Sequence, residues 1–368
     1  MKNLNRYQKL FQDVVKEHQE GGSSNINSKI LILDGLNTFI RVFSAVPALN
    51  DDGDHIGGVT GFLRSIAANI RLLKPTRVIV CFDGKGGSKR RKKIYPDYKA
   101  NRAVSTKFNR YQEFASKADE SESMKKQFGR LIEYLNCLPV TMLAVDNIEA
   151  DDTIAYIANE IYTQSDQKVQ IVSTDRDFLQ LVNDRISVWS PIKKKMYTPE
   201  LMKEEFGIDA SNYLLYRTFL GDKSDNIPGV KGVALKSLIK YFPMMTENRS
   251  VDLDELLEHA RDGKDRYKIY KSVIESEDQV NLNRSLMQLK EVNIAGNLKM
   301  MIQDKVKVTV DKLNTFQFKK MFMQDKMYTV IKDLDTWLAT SFNSLNAYAS
   351  MEKNKDITKI IIILQYDR

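Results

Sequence analysis

Three short β-branched runs punctuate the chain, each closing on an aspartate: Lys29-Ile-Leu-Ile-Leu-Asp34, Arg77-Val-Ile-Val-Cys-Phe-Asp83 and Lys168-Val-Gln-Ile-Val-Ser-Thr-Asp175. Unbroken apolar runs separated by helical stretches predict strands buried on both faces of a parallel sheet. Val59 to Leu73 has the periodicity of the helix between the first two runs, and Val140 to Val145 reads as a further strand. Ser187 to Tyr197 reads as a hairpin around Pro191 and the Lys193-Lys-Lys195 turn. Polar and charged residues dominate Lys85 to Gly129, which predicts an excursion over the surface before a helical pattern resumes at Arg130. From about Leu201 onward the pattern is helical, broken at Ile227-Pro-Gly-Val-Lys-Gly232.

At the front of the chain Leu4, Tyr7, Leu10, Phe11, Val14 and Val15 form one apolar stripe, separated from the first strand by the polar linker Gly21 to Ser28. At the far end Ile357 to Leu364 has strand propensity. The fold class is therefore α/β, a mostly parallel central sheet with flanking helices. Residues 1–28 are an extension, 29–205 the α/β core with a basic excursion at 85–129, and 206–368 a helical region.

In open parallel sheets ligands bind at the carboxyl ends of the strands, so Asp34, Asp83 and Asp175 are expected on one edge. Further acids fall at helix starts or just beyond strands: Glu149, Asp151 and Asp152, then Asp177, then Asp222 and Asp225. Glu149 with Asp152, and Asp222 with Asp225, are spaced to share one helical face, while Asp175 and Asp177 share a side if the strand continues. Taken singly, Asp175 reads as a turn or helix cap, and Glu149 to Asp152 as acids favoured by a helix dipole. Together on one edge they would repel one another strongly, which divalent cations relieve. An all-oxygen set suits Mg²⁺ or Mn²⁺ rather than zinc, and His18, His55 and His259 form no cluster. A pair of such ions is the usual arrangement for in-line displacement at phosphorus.

Composition narrows the class. With 42% hydrophobic and 28% charged residues over 368, the chain is globular rather than collagenous or low-complexity, and long enough for more than one domain. Cys81 and Cys137 in apolar contexts predict a reduced interior and a cytoplasmic address. The longest apolar run, Ile360 to Leu364, is far short of the ~20 residues of a membrane span, so no membrane partner is expected. Lys85 to Arg102 carries eight basic residues against one acid, a net +7 of the whole chain's +8. One concentrated basic segment beside an acidic edge predicts a polyanionic partner, although a basic run standing alone is commonly a solvated face.

The motifs carry a resemblance. In order, Leu33-Asp-Gly-Leu-Asn37, Val80-Cys-Phe-Asp-Gly84, Tyr95-Pro-Asp-Tyr-Lys-Ala-Asn-Arg102, Ile148-Glu-Ala-Asp-Asp152, Ser173-Thr-Asp-Arg-Asp-Phe178 and Gly221-Asp-Lys-Ser-Asp-Asn-Ile-Pro-Gly-Val-Lys-Gly232 resemble those of the 5′-nuclease superfamily. That superfamily includes the 5′ nuclease domain of bacterial DNA polymerase I, flap endonucleases and the bacteriophage ribonuclease H proteins. The likeness spans Ile30 to Phe242, and the Val188-Trp-Ser-Pro191 hairpin with the long C-terminal region looks most like the phage ribonuclease H branch.

The resemblance implies a PIN-like nuclease core, a helical arch over 85–129 and a helix-three-turn-helix within a C-terminal DNA-binding domain. It implies a structure-specific 5′ nuclease with exonuclease, flap endonuclease and RNase H activity, removing RNA primers in phage replication. It puts Asp34, Asp83, Glu149, Asp151 and Asp152 at a first Mg²⁺ or Mn²⁺ and Asp175, Asp177, Asp222 and Asp225 at a second. Lys99 and Arg102 would contact the scissile phosphate, and a terminal base would stack on Tyr98. Lys89, Arg90, Arg91, Lys92 and Lys93 would contact DNA from the basic segment, and Gly229, Lys231, Gly232 and Lys236 from the hairpin at Asn226 to Lys236. The family often binds K⁺ in that hairpin, but Ala234 stands where a glycine is usual. Implied partners are DNA with 5′ flaps or nicks and RNA–DNA hybrids, a sliding clamp and a single-stranded DNA-binding protein, with the protein itself a monomer. The rivals are a PIN-like ribonuclease, which would lack the duplex-binding hairpin, and a noncatalytic branched-DNA binder, for which clustered carboxylates would be a handicap.

Overall fold

A computed structural model describes residues 27–101, 109–112, 114–263 and 265–349. The N-terminal apolar stripe, Arg102 and the C-terminal Ile357 to Leu364 lie outside the described residues.

The sheet has six strands in the order β3-β2-β1-β4-β5-β6, with β1 at Lys29–Asp34, β2 at Arg77–Asp83, β3 at Thr141–Val145, β4 at Lys168–Val172, β5 at Ile186–Ser190 and β6 at Lys195–Tyr197. All neighbours pair in parallel except β5 with β6, the expected hairpin. The third run departs from expectation. The strand ends at Val172 and the Ser173 hydroxyl donates to Asp34, and Asp175 and Asp177 sit in a turn and a short 3-10 segment rather than on a strand.

Alternation in the strands separates two cores. Ile30, Ile32, Ile79, Cys81, Val169 and Ile171 face one core, and Leu31, Leu33, Val78, Val80, Phe82 and Val172 the other. The same period of two carries Asp34 and Asp83 onto the first of these faces. That face receives α5 (Ala150–Tyr156), which follows β3 directly. The opposite face receives α1 (Gly35–Ala45) and α2 (Gly57–Leu73), whose Val59, Phe62, Leu63, Ile66 and Ile70 recur at helical spacing and are buried.

The stretch 85–129 is less of an excursion than its polarity suggests. It contains a short helix α3 (Lys89–Ile94) and the start of a long one, α4 (Lys117–Leu135). Ser116 caps α4 by accepting from the Asp119 N–H at 3.1 Å, with Asp119 and Glu120 in the first turn. A cap-and-acid signature therefore starts the helix well before its apolar face begins.

From Pro199 onward the described helices pack in two groups. Helices α6 (Pro199–Phe206), α7 (Tyr213–Leu220), α8 (Leu235–Tyr241), α9 (Leu253–Asp262), α10 (Lys268–Glu275), α11 (Glu277–Met287) and α12 (Gly296–Lys307) build on the α5 side. By contrast, α13 (Thr315–Gln324) and α14 (Leu334–Asn346) bury Phe318, Phe322, Leu338 and Phe342 in the α2 and α4 core. Arg71 donates to the Ser341 hydroxyl at 2.5 Å, and Arg64 to the Val330 carbonyl, which fastens α2 to this C-terminal layer.

Candidate nuclease site

The parallel ladder delivers the ends of β1, β2 and β4 to one edge, where the N-terminus of α5 also arrives. The Ala150 N–H donates to Asp83 Oδ1 at 2.7 Å, tying the first turn of α5 to the tip of β2. Gly84 makes this closeness possible: a Cβ there would lie 1.7 Å from the Val145 carbonyl oxygen. Asp34 is 5% exposed, accepting from the Asn37 N–H at 3.2 Å through one oxygen and from the Ser173 hydroxyl at 3.0 Å through the other. The Asp175 N–H donates to the same hydroxyl at 3.0 Å, and the Asp177 N–H donates to Asp175 Oδ1 at 2.8 Å. Thus the Ser173 hydroxyl ties the Asp34 carboxylate at the end of β1 to the backbone of the loop after β4.

These groups strain against one another electrostatically. Burial pushes the Asp34 carboxyl up to about 7, and the charges of Asp175 and Asp83 add to the rise. Burial, then repulsion from Asp175 and Asp34, holds Asp151 well above the ordinary carboxylate range. Asp175 is raised by burial and by Asp225 and Asp222. Asp177 is pushed up to about 7 by burial and by Asp175, even with Arg217 beside it.

The other acids have cationic partners. Arg91, 3% exposed, pairs with Asp152 through two bonds of 2.7 and 2.8 Å and with Glu149, while its Nε donates to the Leu286 carbonyl at 2.8 Å. Lys99 Nζ donates to Glu149 Oε1 at 2.6 Å. Against the effect of burial, the charges of Arg91 and Lys99 hold Glu149 below its usual range. Arg217 spans Asp177 and Asp222 at 2.8 and 2.5 Å. Although burial opposes it, the Ser224 and Arg217 bonds hold Asp222 below its usual range.

Two loops meet here. Lys99 and Asn226 both have left-handed backbone, at φ 59° and 60°. The Lys99 N–H donates to the Asp225 carbonyl at 2.9 Å, and Asn226 Nδ2 to the Asp97 carbonyl at 3.0 Å. Non-glycine residues in this conformation are held there by surrounding structure, and here each loop holds the other.

Several expectations change. Arg91 is not a DNA contact but a buried counter-charge. Tyr98 is 3% exposed among Ile227, Leu286 and Met287, with its hydroxyl donating to Glu149 at 3.3 Å, so it supports the site from inside rather than offering a ring to a base. Gly229 answers an internal need, because a Cβ would lie 2.1 Å from the Leu220 carbonyl oxygen. Gly232 does lie in the open, at φ 78°, between exposed Lys231 and Lys236. Lys89, Lys92 and Lys93 are exposed and Arg90 half-buried, 3.5 Å from Asp152.

Among the described residues, no three Asp, Glu, His or Cys side chains close around one point as a finished coordination shell. Arg91, Lys99 and Arg217 take up Glu149, Asp152, Asp177 and Asp222, which the expected metal sets had counted as ligands. The remaining chemistry still suits hard divalent ions: the donors are all oxygen, and Asp34, Asp83, Asp151 and Asp175 lie close enough to repel one another. Sequence reasoning missed Arg217 and Ser173. Ser173 had a signal in its place beside a strand-end aspartate; Arg217 had only its nearness to Asp222, five residues on, because its bond to Asp177 depends on a turn of α7 facing the 3-10 segment.

An acidic carboxyl edge on a mostly parallel sheet, with a basic helix and a helical hairpin beside it, defines a nuclease of the resolvase-like type. Residues 29–207 match the family described as 5'-3' exonuclease, N-terminal resolvase-like domain. The chain is 34% identical to a 5'-3' exonuclease of Aquifex aeolicus over 211 residues, 57% of this chain and 67% of that one. It is 30% identical to a 5'-3' exonuclease of Bacillus subtilis over 236 residues, 61% of this chain and 72% of that one. The flap endonuclease of bacteriophage T5, solved in complex with DNA and metal ions, shares the fold at a TM-score of 0.56 and 18% identity, over 83% of this chain and 99% of that one. The chain belongs to the 5'-3' exonuclease family of the 5′-nuclease superfamily.

Proposed function

We propose that this chain is a Mg²⁺-dependent, structure-specific 5′ nuclease that hydrolyses phosphodiester bonds at DNA branches and at RNA or DNA 5′ ends in duplexes. The observation that carries this reading is the convergence of Asp34, Asp83, Asp151 and Asp175 on the sheet edge, with Asp34 and Asp175 bonded through one hydroxyl and Asp34, Asp151 and Asp175 all resisting ionisation.

Those four would hold the first ion, and Asp177, Asp222 and Asp225 would complete a second site with Asp175. When bound, the ions supply water activation and leaving-oxygen stabilisation. The chain's own residues do the rest. Lys99, kept cationic by Glu149, Asp151 and Asp225 against the effect of burial, would exchange its carboxylate for a phosphate oxygen and stabilise charge developing there. Exposed Lys231, Gly232 and Lys236 at the turn between α7 and α8 would grip duplex phosphates, and Lys89, Lys92 and Lys93 of α3 would attract the strand. Removal of RNA primers in phage replication is the role this activity suits, with a sliding clamp and a single-stranded DNA-binding protein as partners.

The test is cleavage of 5′-labelled flap, nicked and RNA-primed duplexes in Mg²⁺ and again in EDTA. Products released from the 5′ end in Mg²⁺ and none in EDTA are expected. Binding of branched DNA without cleavage would favour the noncatalytic rival.

A further inference from the structure

We propose that Arg217 is a built-in counter-cation for the second group of carboxylates, so that a divalent ion binds there only by drawing Asp177 and Asp222 away from the guanidinium; this rests on the metal-dependent reading above.

Arg217 lies in the last turn of α7, 7% exposed. Its Nη2 lies 2.8 Å from Asp177 Oδ1 and 2.5 Å from Asp222 Oδ2, and its Nε donates to Asp177 Oδ1 at 3.0 Å. Arginine keeps its charge at any working pH, and a guanidinium shared between two carboxylates fills the electrostatic role that an ion would take. Asp222 cannot evade the choice by swinging away. Its other oxygen is fixed by the Ser224 N–H at 2.7 Å and the Ser224 hydroxyl at 2.6 Å, so the oxygen facing Arg217 is the one an ion must win.

Arg91 shows how a purely structural arginine differs. Its Nε is committed to a backbone carbonyl of α11, which locks that pair into the packing, whereas the three bonds of Arg217 all go to candidate ligands. Among the described residues no arginine bonds Asp34, Asp151 or Asp175 in this way; Asp34 accepts instead from the Asn37 N–H and the Ser173 hydroxyl, and Asp175 from the Asp177 N–H. The consequence is ordered loading. The strand-end group takes an ion readily, and the Asp177 and Asp222 group takes one at a penalty set by Arg217.

The test is calorimetric titration of the full chain with Mn²⁺, comparing wild type with Arg217→Met. Wild type should show one tight and one weak site, and Arg217→Met should tighten the weak site about tenfold or more while leaving the tight one unchanged, since a desolvated competing charge is gone. Equal weak-site affinity in the two proteins would overturn the proposal alone. Absence of any Mn²⁺ binding to wild type would overturn the metal reading and the proposal with it. Because a buried arginine variant can lose its fold, the wild type also provides a direct readout. The Arg217 Nε–H resonance, identified by its loss in Arg217→Lys, should shift during a Mg²⁺ titration in step with the weak site. A resonance that stays still at saturating Mg²⁺ would refute the exchange.

Discussion

Two sets of acids share one edge of the sheet and behave oppositely. Glu149 and Asp222 are each bonded to buried cations, and their carboxyls fall below the usual range even though burial opposes it. Burial drives Asp34, Asp151 and Asp175 up, and the charges of neighbouring acids add to the rise. Asp177 belongs to both sets: it touches Arg217, yet burial, with the charge of Asp175 adding to it, drives its carboxyl up. Being an acid on this edge therefore does not define a residue's role. Paired acids organise the loops, through Arg91, Lys99 and Arg217, whereas the group left to repel itself is the part that gains most from added positive charge.

The sharpest break of this comparison is Asp34→Asn, which removes a member of the self-repelling group. Cleavage in Mg²⁺ should fall by roughly a thousandfold or more, while the melting temperature in EDTA at pH 8 should rise, because a buried charge has gone. Near-wild-type turnover would remove Asp34 from the catalytic set. The converse is Arg91→Met, which leaves Glu149 and Asp152 buried without their main partner. Breaking a buried pair from one side costs about 3–5 kcal/mol, so denaturant unfolding should show a loss of that size; a loss under about 1 kcal/mol would mean the pair contributes as little as a surface one.

A smaller effect is expected from pH. Asp34 and Asp177 are raised to about 7 in the fold from an ordinary value of 3.8. Between those values the folded protein binds more protons than the unfolded chain, so their contribution to stability is complete below pH ~4 and is lost as pH rises through ~7. In EDTA the melting temperature should fall over that interval, and Mg²⁺ should flatten the fall. A curve identical with and without Mg²⁺ would place the ions elsewhere. The smallest effect should come from Lys231→Ala and Lys236→Ala, outside both sets of acids. Each should lower the salt dependence of duplex affinity by about one unit, with the cleavage rate of bound substrate unchanged.

How much of this was legible without coordinates can be read from particular residues. Asp34 and Asp83 were, because a buried strand ending in an acid has only one edge on which to put it, and a period of two fixes the face. The hairpin over Ser187 to Tyr197 and the helix beginning near Val59 were legible for the same reason: local patterning sufficed. The reading failed where a partner comes from far along the chain. Arg91 and Tyr98 sit in a basic, polar stretch that reads as solvent-facing, yet Leu286 and Met287 pack on Tyr98, the Leu286 carbonyl accepts from Arg91, and the Glu149 carboxylate accepts from both. Gly229 resembles a phosphate-binding glycine, but the Leu220 carbonyl is what requires it. The sequence by itself determined the alternation of strands and helices, the shared carboxyl edge and the abundance of acid upon it, since these follow from periodicity and connection order. Only the tertiary structure decided which acids are neutralised and which are left to repel, because that depends on where Arg91, Lys99 and Arg217 arrive: apart from Arg217 and Asp222, five residues apart, these partners are separated by 40 residues or more, which leaves no local trace of the match.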